Sequence, residues 1–162
     1  MFLINNYDQI LTVFQERRVV SDEALRFEES LLRQRELFAE EEIRQSFPRL
    51  ISFVAQTEKA QSELQIGATL SLDEILVESL VREFAAQWRS GIQQINDGVL
   101  AHFANFRNGM EILKQVLTQL LLYYTRFQDI IKKSFPRPPA FTRDIISTAT
   151  ILMEIKRYSR SF

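Results

Sequence analysis

The sequence has 162 residues and a net charge of -1; 46% of its residues are hydrophobic, 25% are charged and none is cysteine. This composition is typical of one folded globular domain, covering residues 1–162, and it excludes a disordered chain, a disulfide framework and a thiolate metal site. The apolar runs are far shorter than the roughly 20 residues of a membrane-spanning helix, and the N-terminal residues do not form a signal peptide.

The first 60 residues predict three helices. The first runs from Phe2 to Arg17, and because it starts without a cap we expect the chain to be part of a longer protein whose helix continues upstream. Ser21 is predicted to cap a second helix ending near Gln45, and Pro48 fits the first turn of a third. The predicted inner faces are Leu3, Tyr7, Ile10 and Phe14, then Ala24, Phe27, Leu31 and Phe38, then Phe47, Leu50, Ile51 and Val54.

The segment from Gln61 to Leu70 has no sustained period and predicts a mobile loop. After it, the run from Ser71 to Glu74 matches a capping box, in which the serine and glutamate side chains accept backbone N–H groups at a helix start. The apolar residues that follow at helical spacing are Val81, Phe84, Trp88, Ile92 and Ile95. A fourth helix is therefore predicted from Leu72 onward.

The stretch from Val99 to Ile131 is predicted to be the central helix. Its apolar residues recur in steps of four and three, which keeps one stripe against a partner over many turns. They are Val99, Phe103, Phe106, Met110, Leu113, Leu117, Leu120, Tyr124, Phe127 and Ile131. The phase of the apolar repeat changes near Val99, where we expect a bend. If the helix were unbroken from Leu72 to Lys133, it would be roughly 90 Å long. Leu117 and Leu120 are expected to be fully buried.

Small and polar residues form a second stripe beside the apolar one. They are Gly91, Gln94, Gly98, Ala101, Asn105 and Asn108, and they predict the close approach of another helix. The motif Asn105, Phe106, Arg107, Asn108, Gly109 overlaps this stripe. Two interpretations of its polar residues stay open: they hold the register between helices, or they contact a partner. Whether the long helix is broken near Val99 or near Gly109 is also left open by the sequence.

The C-terminal region predicts a final helix with two apolar faces. Three prolines in the four positions Pro136 to Pro139 end the central helix, and the last helix is predicted from Phe141 to Tyr158. The face expected to pack inward comprises Ile145, Ile146, Ala149, Leu152 and Met153. The opposite stripe comprises Ile151, Ile155, Tyr158 and Phe162, with Arg157 and Arg160 beside it. This outer stripe is our candidate partner interface, the alternative being that both faces are buried.

The sequence offers little catalytic or ligand-binding chemistry. His102 is the single histidine, which leaves no histidine pair for a metal. The acidic side chains from Glu40 to Glu42 fan about 100° apart on a helix and cannot converge on one atom. No phosphate-binding glycine loop, nucleophile elbow or aromatic stacking platform is present. We therefore predict no enzyme activity, no cofactor, no metal and no nucleic-acid partner.

Charge is distributed unevenly along the chain. Through Phe106 there are 10 basic and 17 acidic residues, and after it 10 basic and 4 acidic ones. A basic C-terminal end suits acidic partners or anionic lipid, although a solvated charged face is the common explanation. A lipid-binding or scaffold bundle is therefore an alternative function, which predicts a contiguous basic face; a small helical enzyme would instead require a deep pocket with convergent polar groups.

Several short motifs are distributed along the chain: Asn5-Asn6-Tyr7-Asp8, Asn105-Phe106-Arg107-Asn108-Gly109, Leu117-Thr118-Gln119-Leu120, Arg126-Phe127, and Met153-Glu154 with Lys156. With them the chain resembles, over nearly its whole length, the C-terminal region of the vacuolar protein sorting 52 family. The resemblance implies an all-α, elongated bundle of five to six helices, of the rod type called CATCHR. It also implies a subunit of the GARP and EARP tethering complexes, which act in endosome-to-Golgi transport and endosomal recycling.

Partners follow from the same resemblance. They are the other tethering subunits, and SNAREs or small GTPases as further partners. The complex would associate peripherally with the cytosolic face of the trans-Golgi network and endosomes.

Overall fold

A computed structural model of the chain describes residues 1–63, 70–103 and 105–160, the side chains of 159 and 160 excepted. The described part is helical throughout its regular structure and contains no strand. Its helices are α1 (Phe2–Glu16), α2 (Asp22–Ser46), α3 (Pro48–Glu63), α4 (Glu74–His102), α5 (Phe106–Ser134) and α6 (Thr148–Arg160), with a 3-10 helix (Ala140–Asp144) before α6. The predicted all-α class is confirmed. Most of the loop predicted from Gln61 to Leu70 lies outside the described residues.

Side chains cap the starts of α2 and α4. Ser21 caps α2 as predicted, its hydroxyl accepting the Ala24 N–H at 3.3 Å. The cap predicted at Ser71 is wrong by two residues, because Asp73 takes the role instead. Its carboxylate accepts the N–H of Ile75 at 2.9 Å and that of Leu76 at 3.4 Å, so one charged oxygen satisfies two backbone donors.

The long central helix of the prediction is broken into α4 and α5. Phe103 ends α4 in extended conformation, and the Asn105 side chain caps α5 by accepting the Asn108 N–H at 3.2 Å. Phe84 and Tyr124, about equally far from the break, stack with ring centroids 4.2 Å apart. The two helices therefore fold back as an antiparallel hairpin. The break lies between Val99 and Gly109, the two positions near which the sequence left a break open. The apolar period continues across it and therefore did not locate the cap.

Helix α5 is the centre of the core, contacting α2, α3, α4 and α6. Leu117 and Leu120 are 1% and 0% exposed, as predicted. The buried apolar side chains of α5 are Ile112, Leu113, Val116, Leu117, Leu120, Tyr124, Phe127, Ile130 and Ile131. Phe106, which the prediction placed in the same stripe, is half exposed because it begins the helix at the break.

The buried face of α1 is turned by one residue from the prediction. Ile4 and Leu11 are buried, whereas Leu3 is largely exposed and Ile10 is half-buried. The inner faces predicted for α2 and α3 are confirmed, since each residue predicted to lie on them is buried or packed against the core. Helix α1 contacts α2 extensively, and the aromatic pair Tyr7–Phe27 lies between them at 5.8 Å. The apolar repeat of α1 fits a face through Leu3 and Ile10 as well as one through Ile4 and Leu11, so the sequence alone could not tell which face is buried.

The bundle has more surface than a compact protein of its size. Its accessible area is 10613 Å², whereas about 8,400 Å² is expected for a compact monomer of this mass. The difference agrees with an elongated bundle. Within the described ranges, none of the helices combines the length and apolarity required to cross a bilayer.

Gly91 explains part of the predicted small-residue stripe. A Cβ at this position would lie 2.3 Å from the Cζ atom of Phe47, whose ring fills the space between α4 and the start of α3. At Gly98, the other glycine of the stripe in α4, the nearest atom would be Glu42 Oε2 at 3.9 Å. Close packing thus requires glycine at the first position and tolerates a methyl group at the second.

The burial of α5 predicts opposite results for two nearby leucines. Leu120→Ala should lower the free energy of unfolding by about 2 to 5 kcal/mol, because it removes buried methyl groups and leaves a cavity. Leu122→Ala, at a position 51% exposed, should change it by less than about 0.5 kcal/mol. Urea unfolding followed by circular dichroism measures both. Similar losses in the two variants would contradict the described orientation of α5.

The two glycines give a second matched pair. Gly91→Ala should lower the free energy of unfolding by about 1 to 3 kcal/mol through overpacking against Phe47. Gly98→Ala should raise it by up to about 1 kcal/mol, since alanine is the better helix former. Thermal and urea unfolding of both variants provide the check. A Gly91→Ala protein as stable as wild type would show that Phe47 does not pack against α4 as described.

Candidate interaction sites

Four polar side chains meet where α4 turns into α5. Asp8 comes from α1, Arg35 from α2, and Asn105 and Asn108 from the start of α5. We call these four residues the polar junction. Because each of the three helices contributes to it, the junction can fix how far α1 and α2 slide along α5.

The junction is a connected set of polar contacts. Asn105 Nδ2 donates to Asp8 Oδ2 at 3.1 Å, and Arg35 Nη2 donates to Asn108 Oδ1 at 2.6 Å. Arg35 also forms an ion pair with Asp8, whose Oδ1 lies 3.8 Å from Nη2. Asn105 therefore has two roles, capping α5 with its oxygen and contacting α1 with its nitrogen.

Burial makes this junction sensitive to substitution. Asn108 is 3% exposed, and its Nδ2 and the Arg35 Nε are buried without a hydrogen-bond acceptor. Burial lowers the pKa of Arg35, while the negative charges of Asp8 and Glu111 act in the opposite direction. A change that removes Asn108 Oδ1 would cost Arg35 Nη2 its hydrogen-bond acceptor and leave it with only the 3.8 Å ion pair to Asp8.

The motif from Asn105 to Gly109 divides into two parts. Asn105 and Asn108 join helices, and Gly109 is buried, with its would-be Cβ 3.4 Å from the Cβ of Phe103. These contacts support the register interpretation for the two asparagines. Arg107 is exposed, which removes it from that interpretation and leaves the partner-contact hypothesis for it. Phe106 is half exposed beside it.

A groove of about 660 Å³ opens beside the polar junction, between α1, α2 and the start of α5. Asp8, Arg35 and Asn108 line it together with Glu28 and Arg107. Charges of both signs thus face the same space, and this mixture favours no single class of charged ligand.

Helix α6 buries the stripe that was predicted to face outward, whereas Ile145 and Ile146, just before the helix, pack against the core as predicted. Ile151 is fully buried, and Ile155 and Tyr158 pack against the core, whereas Leu152 and Met153 are 39% and 65% exposed. The assignment of Ile151, Ile155 and Tyr158 to the outer stripe is therefore wrong. The helix begins at Thr148 rather than at Phe141, because the residues after the prolines form the 3-10 helix.

Three hydrogen bonds hold α6 in this orientation. The Ile146 carbonyl accepts from the Tyr124 hydroxyl at 2.9 Å and from Gln128 Nε2 at 3.0 Å, and burial raises the pKa of Tyr124 to about 12. Tyr158 donates its hydroxyl to Gln93 Oε1 on α4 at 2.8 Å. Of the basic residues predicted beside the stripe, Arg157 is exposed and contacts Glu154 at 2.9 Å. The Arg160 side chain and Phe162 lie outside the described residues.

Among the described residues, the acidic side chains from Glu40 to Glu42 and the single histidine do not form a catalytic or metal-binding site. Glu40 and Glu41 are exposed, and Glu42 is half-buried, its pKa raised by that burial. His102 is exposed at the end of α4. Across the described ranges, no three histidine, cysteine or acidic side chains are grouped so that they could hold a metal ion.

Comparison with known proteins identifies relatives over the whole chain. It is 39% identical over 163 residues to vacuolar protein sorting-associated protein 52 A of Arabidopsis thaliana and 32% identical to the Homo sapiens homologue. The identity to the Caenorhabditis elegans homologue is 29% over 169 residues. The chain is a homologue of vacuolar protein sorting-associated protein 52. In each case the match covers 100% of this chain but only 22 to 23% of the relative.

The chain therefore spans about a quarter of the length of the vacuolar protein sorting-associated protein 52 relatives that it matches, which is consistent with their C-terminal region. No protein-family model matches the chain, and no solved structure matches it.

Sequence reasoning found half of the polar junction and missed Asp8 and Arg35. A signal for both was present. Arg35 lies between Leu31 and Phe38 in steps of four and three, and Asp8 lies between Ile4 and Leu11 in the same way. A charged residue at a core position of a helical stripe predicts a buried polar partner.

The polar junction predicts that Asn108 matters more than its neighbour. Asn108→Ala should lower the free energy of unfolding by about 1 to 3 kcal/mol, because Arg35 loses a buried acceptor. Arg107→Ala, which changes an exposed side chain of the same helical turn, should alter it by less than about 0.5 kcal/mol. Urea unfolding of both variants measures the difference. Equal stability of Asn108→Ala and wild type would remove the register role.

Proposed function

We propose that the chain is a non-catalytic domain of a multisubunit vesicle-tethering complex and that it acts through protein–protein contacts. The observation that carries this proposal is the match to vacuolar protein sorting-associated protein 52 of plants and animals over the full chain. The names of these relatives describe protein sorting and name no catalytic activity. A helical bundle with a large accessible surface suits a role in assembly.

The resemblance of the motifs makes the proposal more specific. We infer a role in endosome-to-trans-Golgi retrograde transport as part of GARP, and in endosomal recycling as part of EARP. The other tethering subunits are the proposed partners, together with SNAREs or small GTPases. In this proposal the protein reaches the cytosolic face of the trans-Golgi network and of endosomes through its complex, as a peripheral component.

Depletion and purification from the same cells test the proposal. The protein is tagged at its own gene with an affinity tag and an inducible degron. We expect the other tethering subunits to co-purify with it in a fixed ratio. After depletion, a receptor that normally returns from endosomes to the trans-Golgi network should remain in endosomes, as seen by microscopy.

Two variants connect this test to the domain. Leu120→Asp places a charge in the core of α5 and should not restore receptor return, whereas Leu122→Asp changes an exposed position and should restore it. Purification of the protein without other tethering subunits, or normal receptor return after complete depletion, would contradict the proposed function.

A further inference from the structure

A second groove lies at the opposite end of α5 from the polar junction. It has a volume of about 540 Å³ and runs between the end of α5, the proline segment, the 3-10 helix and the start of α6. Its apolar lining comprises Ile131, Phe135, Pro136, Pro138, Pro139 and Ile145. We call it the proline groove. It is separate from the motif residues and from the stripe of α6 considered above.

The shape of the proline groove is held by the core. Ile131 is buried, and Phe135 and Ile145 pack against the core. The Phe135 ring meets the Phe141 ring edge-on at 5.9 Å, and the Pro139 carbonyl accepts the Thr142 hydroxyl at 2.7 Å. Prolines have a fixed φ angle and little conformational freedom to lose when a ligand binds. The groove is thus preorganised.

Four basic residues line this groove or adjoin a lining residue in the chain. Lys132 lines it, Arg137 lies between two lining prolines, and Lys133 and Arg143 each follow a lining residue. All four side chains are exposed. Lys132 pairs with Asp129, whose carboxylate is 3.8 Å away.

The other three cations, Lys133, Arg137 and Arg143, form no ion pair with the described part of the chain. The acidic residues that adjoin a lining residue in the chain are Asp129 and Asp144, so the four basic residues outnumber them.

Shape and charge together specify the occupant. A concave space of this size is in the range of ligand sites and accommodates apolar side chains, whereas a bilayer surface cannot enter it. Unpaired cations at the rim favour carboxylates flanking those side chains, at contacts that weaken with salt. An acidic peptide segment carrying apolar residues satisfies both conditions.

We propose that the proline groove binds an acidic segment of a protein partner, with apolar side chains in the groove and carboxylates at Lys133, Arg137 and Arg143. The proposal builds on the proposed function, because it names the chemistry of one protein contact. Its test uses the 162-residue chain without any tethering subunit, so that each proposal can fail while the other holds.

Selection from a random peptide library displayed on phage tests the groove directly. Peptides of about 12 residues are selected on the wild-type chain, and the enriched ones are synthesised for fluorescence anisotropy. We expect enrichment of aspartate and glutamate together with large apolar residues. Binding should weaken as sodium chloride is raised from about 50 to about 300 mM.

Charge-reversal variants locate the binding. Arg137→Glu with Arg143→Glu should weaken the selected peptides by more than about tenfold. The matched control, Arg33→Glu with Arg44→Glu, makes the same charge change at exposed positions of α2, away from the groove, and should bind like wild type. Circular dichroism checks that both variants are folded.

Three results would overturn the proposal. The first is the absence of acidic peptides among the enriched sequences, and the second is equal binding to the groove variant and the control. The third is binding of phosphatidylserine-containing vesicles, lost in the groove variant, by a chain that binds none of the peptides. That outcome would assign the basic rim to a lipid surface instead.

Discussion

The cap at Asn105 is the constraint on which the arrangement of the other helices depends. By accepting the Asn108 N–H it starts α5 at Phe106, with three residues between it and the end of α4 at His102. The two long helices therefore turn back on each other. The stacking of Phe84 in α4 on Tyr124 in α5 is possible only in this hairpin. The same asparagine contacts Asp8, so the turn that folds the chain also positions α1.

Hydrophobic periodicity predicted which segments are helical and most of the buried residues of α2, α3 and α5, although Phe106 is half exposed. It failed where local chemistry decides. The break at Asn105 and the cap at Asp73 each depend on one side chain that accepts backbone N–H groups, and the apolar period runs past both. The face of α6 was assigned wrongly because Ile151 and Leu152 support two phases equally well in sequence. The bonds of Tyr124 and Gln128 to the Ile146 carbonyl and of Tyr158 to Gln93 fix one of these phases in the structure.

The two ends of α5 differ in chemistry. At its start, charges of both signs are partly buried and paired within the chain, which suits an internal joint. At its end, Arg137 and Arg143 are exposed beside an apolar groove, which suits contact with another molecule. A rigid frame and a surface left for a partner both suit the role in an assembly that we propose. The chain that carries them is homologous to part of vacuolar protein sorting-associated protein 52.

The most direct test of the account is the distance between α4 and α5 in solution. The chain contains no cysteine, so spin labels at Gln87→Cys and Thr125→Cys, both exposed positions, are unambiguous. Pulsed electron paramagnetic resonance should give a single distance below about 25 Å, as expected for neighbouring antiparallel helices with their label arms. An unbroken helix would separate the two positions by about 57 Å. A distance near that value would contradict the hairpin and the assignments that depend on it.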